Sequence, residues 1–136
     1  MEGFKKQRDF GGNSYVIHAR QLAVKNETFR TAIWTGSSEQ MTLMCIPIGG
    51  EIGAEVHEET EQIIRVERGY AMVKMGKDRC LQDFCLCLKE GDVVFVPAGT
   101  WHNVINTGNF ALKLSSIYAP PHHPKGTVDQ TKEDSI

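Results

Sequence analysis

The rhythm of hydrophobic and polar positions changes at Phe29. Before it, residues 1–14 are mostly polar, carry Gly11-Gly12-Asn13, and predict a loose arm; Tyr15 to Lys25 is the only stretch that suggests a helical turn or two. From Phe29 onward, turn-forming residues recur at short intervals: Gly36-Ser37-Ser38, Gly49-Gly50, Gly76-Lys77-Asp78, Gly91-Asp92, Pro97-Ala98-Gly99 and Thr107-Gly108-Asn109. Glycine, proline and small polar residues each interrupt regular backbone for their own steric or hydrogen-bonding reason, so every cluster marks a reversal. Between them lie short segments rich in apolar and β-branched residues: Phe29–Trp34, Met41–Pro47, Gln62–Glu67, Tyr70–Met75, Cys80–Leu88, Asp92–Pro97, His102–Asn106 and Ala111–Ala119. The last of these alternates, with Leu112, Leu114, Ser116 and Tyr118 on one face and Ala111, Lys113, Ser115 and Ile117 on the other. Val93-Val94-Phe95-Val96 does not alternate and predicts a strand buried on both faces.

About eight short strands at this spacing predict an all-β sandwich or barrel rather than an α/β fold. After Ala119 come Pro120-Pro121-His122-His123-Pro124, and prolines cannot continue a central strand, so the sheet is expected to stop there. The organisation expected is an arm over residues 1–28, a barrel over 29–119 and a polar tail over 120–136.

Composition narrows the function classes. The chain has 136 residues, 40% hydrophobic and 24% charged, which suits one domain with one modest core. A formal net charge of −2 and a sequence pI near 6.2, with no basic stripe, argue against nucleic-acid or membrane-surface partners. The charged N-terminus lacks the apolar core of a signal peptide, and no apolar run is long enough to span a bilayer, so a cytoplasmic protein is expected. Cys45, Cys80, Cys85 and Cys87 form no Cys-x-x-Cys pair, and are expected to be buried or half-buried thiols acting as small hydrophobes.

Two segments carry the chemistry. In Gly91-Asp-Val-Val-Phe-Val-Pro-Ala-Gly-Thr-Trp-His-Asn-Val-Ile-Asn106, a strand ends at Pro97, Gly99 permits a tight reversal, and His102 opens the next strand. Alone, such a histidine is more often a packed or surface residue than a ligand. The segment Gly49 to Gly69 changes the balance. It places Glu55 and His57 two apart, on one face at strand period, and a short turn through Glu58–Glu61 returns Gln62 beside them. Carboxylate and imidazole are good donors to a divalent metal, and an amide oxygen is a weaker one.

These segments resemble the cupin superfamily. Gly91, Pro97, Gly99, His102 and Asn106 match every defined position of its second motif, Gly-x5-Pro-x-Gly-x2-His-x3-Asn. Gly49, Glu55, His57, Gln62 and Gly69 occupy the slots of its first motif with the spacing intact, but Glu55 stands where that motif has histidine and Gln62 where it has glutamate. The resemblance implies a double-stranded β-helix, the jelly-roll barrel of small cupins, with a small-molecule pocket at the barrel mouth. It also implies one divalent transition metal (Zn, Fe, Mn or Ni) held by Glu55, His57, Gln62 and His102. Formal ligand charge is conserved, because Glu55 replaces the anion lost at Gln62. The alternative is a cupin without metal that keeps His57 and His102 as polar pocket residues.

The function expected is a small-molecule metalloenzyme of isomerase, dioxygenase or lyase type; the alternative is a sugar- or small-molecule-binding sensor module using the same metal. Glu59 and Glu61, on the turn beside the ligands, are the candidate proton-moving groups, within an acidic run with Glu58 that otherwise reads as a solvated turn. His122 and His123 read as surface residues, Trp101 and Tyr118 as core or pocket rim, and Arg65 as outward-facing. No Lys or Arg cluster suggests a sugar-phosphate substrate. A homodimer is expected, with the arm before Phe29 crossing to a partner's sheet edge.

Overall fold

The computed structural model describes residues 9–80 and 83–135. The alternating segments form strands β1 (Arg30–Thr35), β2 (Gln40–Ile46), β3 (Glu61–Arg68), β4 (Ala71–Gly76), β5 (Phe84–Leu88), β6 (Val93–Val96), β7 (Trp101–Asn106), β8 (Leu112–Ala119) and β9 (Val128–Asp129). One short helix, α1 (Ala19–Lys25), precedes them. Six strands form a sheet in the order β6-β3-β8-β2-β1-β9, and three form a second in the order β5-β4-β7, with every neighbour antiparallel. The two sheets enclose one core, to which the first contributes Met44, Ile46, Ile64, Val66, Leu112 and Leu114, and the second Ala71, Val73 and Val104. This is the jelly-roll barrel.

Polarity is graded along the barrel axis. Register aligns Gln40 with Tyr118 and Ile46 with Leu112 across β2 and β8, and Gln62 with Tyr118 and Val66 with Leu114 across β3 and β8. The inner face therefore runs from Ile46, Leu112 and Val66 at one end to Gln40, Thr42, Ser116, Tyr118 and Gln62 at the other. All of these polar residues are buried. Apolar burial drives closure of the first end, whereas polar groups sealed in the second need partners.

Two expectations about burial fail for one reason: strands at sheet edges lack a covering layer. β6 alternates after all, with Val94 and Val96 buried but Val93 and Phe95 42% and 68% exposed, because none of the described residues covers its outer face. Cys85 and Cys87 lie on β5, the edge of the small sheet, and both are exposed, as is Cys80 in the preceding turn; Cys45 alone is half-buried.

The arm and the tail both return to the barrel. α1 lays Ala23 and Leu22 over Ile33, Leu43 and Met41 on the outer face of the large sheet, a second small apolar cluster. His18 caps the helix, its Nδ1 accepting from the Gln21 N–H. The Asp9 carboxylate accepts from Gly11 N, Thr35 N, Thr35 Oγ1 and Gly126 N, tying the arm to β1 and to the tail. Beyond the prolines the chain re-enters the sheet: β9 pairs with β1, and Asp129 meets Arg30 at 3.2 Å in a part-buried ion pair. Within the described residues, the arm thus packs on its own sheet. No helix among them is long and apolar enough to cross a membrane.

Candidate metal centre

β7 is paired on one side with β4 and on the other with the irregular segment that contains the first motif. Ile52 N donates to Val104 O, Asn106 N to Gly50 O, and Glu55 and His102 exchange two backbone hydrogen bonds of 3.0 and 2.9 Å. Gly99 N then donates to His57 O, at a turn where Gly99 takes a φ of +80° that a side chain would strain. The backbone alone thus delivers Glu55, His57 and His102 to one place. Asn103 fills the gap where this segment leaves strand geometry, accepting from Gly53 N and donating to Glu51 Oε1. At the far end of β7, Asn106 is buried, and its amide donates to the carbonyls of Ile46, Pro47 and Phe110 while accepting from Gly108 N, joining the loop after β2 to the β7–β8 connection.

One donor atom each from Glu55, His57 and His102 lie within 4.8 Å of one another. Glu55 Oε1 is 3.3 Å from His57 Nε2 and 3.5 Å from His102 Nε2, yet neither nitrogen gains a hydrogen bond among the described residues. His102 is oriented by its other nitrogen, Nδ1, 3.0 Å from Thr100 O, which turns Nε2 toward the cluster. Burial alone would raise the Glu55 carboxyl, but the imidazoles of His102 and His57 overcome it and hold the group far below the usual carboxylate range. Gln62 is oriented too: its Nε2 donates to Ser116 Oγ, leaving a buried Oε1 without a partner among the described residues. Unpartnered buried donors and acceptors each cost about 1–3 kcal/mol, so several at one end of a barrel mark a place built for something else. An ionised carboxylate, two imidazole nitrogens and an amide oxygen fit a divalent transition metal.

The segment after β8 forms the rim of this end. His122 and His123 do not point away from the protein, as a proline-flanked tail suggested. His122 stays exposed, but its ring centroid lies 4.1 Å from that of His57, and its plane is within 23° of that of Tyr118. His123 meets Tyr118 edge-on at 5.0 Å. Tyr118 is fully buried and 5.8 Å from His57, so it belongs to the site's wall. Burial lowers the His122 ring, with the nearby His57 adding to the effect, and lowers His123 to about 3, with the Arg30 charge assisting. Burial raises the Tyr118 hydroxyl. The signal in the sequence was the pair of histidines in a stiff proline frame, directly after the strand that carries Tyr118.

The cupin domain family model, Cupin_2, matches residues 42–118, more than half of the chain. This chain is a cupin. YrkC of Bacillus subtilis (strain 168) is 49% identical over 129 residues, 95% of this chain and 69% of that protein. Protein L612 of Acanthamoeba polyphaga mimivirus is 38% identical over 122 residues, 89% of this chain and 74% of that protein. The crystal structure of BH2720 from Bacillus halodurans superposes with a TM-score of 0.92 at 44% identity, covering 94% of this chain and 97% of that one.

Within this cupin the other sequence candidates fall outside the cluster. Glu58 and Glu59 are exposed on the turn after His57. Glu61 opens β3 with an exposed side chain, on the face opposite buried Gln62. Arg65 lies on that same outer face, and Trp101 is half-buried with the Arg79 guanidinium 5.5 Å from its ring centroid.

Proposed function

We propose that this cupin is a metal-dependent small-molecule enzyme of isomerase, dioxygenase or lyase type, acting on a small polar substrate at the polar end of the barrel. Glu55, His57, Gln62 and His102 would hold one Zn, Fe, Mn or Ni ion. The observation that carries the reading is the pair of buried Nε2 atoms of His57 and His102, unpartnered beside the Glu55 carboxylate. An ion held there supplies Lewis acidity to a bound oxygen. The protein's own contribution is to fix the donors on backbone-paired segments, with Thr100 O and Ser116 Oγ orienting two of them. Proton transfer by Glu59, which keeps the freedom of an exposed turn, is the part of the proposal tested by Glu59→Gln; Glu61 faces the other way.

A second reading is a binding or sensor module in which the same ion only orients a ligand's oxygens. It is favoured by the absence, among the described residues, of a carboxylate other than Glu55 in the cluster. Elemental analysis of protein purified without added metal should find about one divalent ion per chain, and His57→Ala with His102→Ala should remove it without loss of the β-sheet circular dichroism spectrum. Stoichiometric metal in that double variant would sink the site. Incubation of the loaded protein with carbonyl, sugar and catechol-like compounds separates the readings: an enzyme converts one of them, and a binding module returns all unchanged.

A further inference from the structure

The polar side chain most completely committed to one task in this protein is Gln40, at the start of β2. It is fully buried, and its amide uses its whole hydrogen-bonding capacity. Oε1 accepts from the backbone N–H groups of His122 and His123 at 3.2 and 3.0 Å, while Nε2 donates to His123 O at 2.8 Å and to Thr35 Oγ1 at 2.9 Å. Three of these four bonds fix two consecutive residues of an otherwise irregular segment, and those residues are the two histidines.

The consequence is a second wall facing the candidate centre. The His122 ring packs beside those of both His57 and Tyr118, and neither of its nitrogens makes a hydrogen bond within the described residues. His123 Nε2 is buried and equally unpartnered among the described residues. A segment serving only to cover the barrel would bury apolar side chains there; this one brings two imidazoles without hydrogen-bond partners among the described residues. Neither of them joins the set of donor atoms formed by Glu55, His57 and His102. They are placed to meet whatever that set binds.

We infer that His122 contacts the ligand of the metal site, that Gln40 is the residue positioning it, and that the ligand is a small chelating oxygen compound of the hydroxamate, 2-oxo acid or 2-hydroxy acid class. The inference rests on the metal reading above and deepens it. Four protein donors to a first-row ion that accepts six leave two positions, which a bidentate oxygen ligand fills. Such a ligand keeps a polar group off the ion, the second carboxylate oxygen of a 2-oxo or 2-hydroxy acid or the N–H of a hydroxamate, that the His122 imidazole can hydrogen-bond at the mouth, and the imidazole's contact is with the ligand rather than the ion.

Cobalt(II) and acetohydroxamate test this on the full chain. Cobalt affinity is read by calorimetry, and acetohydroxamate binding by its change in the cobalt visible spectrum. In His122→Ala, cobalt affinity should stay within about twofold of the parent, while the acetohydroxamate Kd should rise up to about tenfold, the loss expected for one hydrogen bond. His122→Asn, which keeps a donor and an acceptor, should recover part of it. Gln40→Leu, which keeps the volume but frees the segment, should reproduce the split between intact metal binding and weakened ligand binding. An unchanged Kd in His122→Ala overturns the contact, and lost cobalt in that variant overturns the assignment to ligand rather than metal. A cobalt-loaded parent that ignores acetohydroxamate overturns the ligand class while leaving the metal site standing. A parent that takes no cobalt removes both.

Discussion

Glu55 and His102 face each other as a hydrogen-bonded antiparallel pair, each backbone N–H donating to the other's carbonyl. In such a pair the two side chains leave on the same side, so the carboxylate and the imidazole are brought together by the main chain before any ion arrives. Removing the charge alone therefore tests its role. Glu55→Gln should keep the β-sheet circular dichroism spectrum of the metal-free protein, yet weaken metal binding by more than about tenfold by calorimetric titration. Equal affinity in the two proteins would exclude Glu55 as a ligand.

Asn106 makes a different prediction, because it touches no candidate ligand. Its amide satisfies three carbonyls, two at the end of β2 and one in the β7–β8 connection, so Asn106→Ala would leave those acceptors empty and cost about 2–5 kcal/mol in urea unfolding. Asn106→Asp should be at least as harmful, since a carboxylate would face the same three carbonyls. A loss below about 0.5 kcal/mol in the alanine variant would show that the loops hold without it.

Asp9 links pH to stability. Burial opposes its ionisation, but bonds from Thr35, Gly126 and Gly11 outweigh it and hold the carboxyl below its ordinary value. A depressed folded pKa contributes stability above the ordinary carboxylate pKa, and that stability is lost as pH falls through the folded value. Asp9→Asn should therefore unfold at lower denaturant than the parent at pH 7, and the gap should narrow as pH falls below the ordinary carboxylate range. A gap independent of pH would assign the effect to shape instead of charge.

The thiols report on the sheet edges. A small aromatic disulfide reagent should modify Cys80, Cys85 and Cys87 quickly in folded protein and half-buried Cys45, with Lys113 Nζ 3.4 Å from its sulfur, more slowly. Cys45→Ser should remove only the slow phase. Four equally fast thiols would mean that the face between β2 and α1 opens readily.

Core packing gives a contrast in magnitude. Leu114 is fully buried between the sheets, and Leu114→Ala should cost about 2–5 kcal/mol in urea unfolding; Phe95→Ser, on the exposed outer face of β6, should cost under about 1 kcal/mol. Similar losses at both positions would mean that Phe95 is covered in solution.

What the sequence determined by itself was local and periodic. Turn residues bounded the strands to within a few positions, because glycine and proline act on their own backbone whatever surrounds them. The two motifs located Glu55, His57 and His102, because each motif is a short run whose strand-and-turn geometry follows from its own spacing. What tertiary structure decided was everything set by a neighbour distant in the chain. Whether Val93 and Phe95 are buried depends on which strand falls at an edge, and the exposure of Cys85 and Cys87 follows the same rule. His122 and His123 lie 65 and more residues from His57 along the chain, and only the closing of the barrel, with Gln40 buried beneath them, sets both rings around Tyr118 at the rim. A spacing rule reaches as far as one hairpin; a hydrogen bond between residues 40 and 123 exists only once the chain has folded.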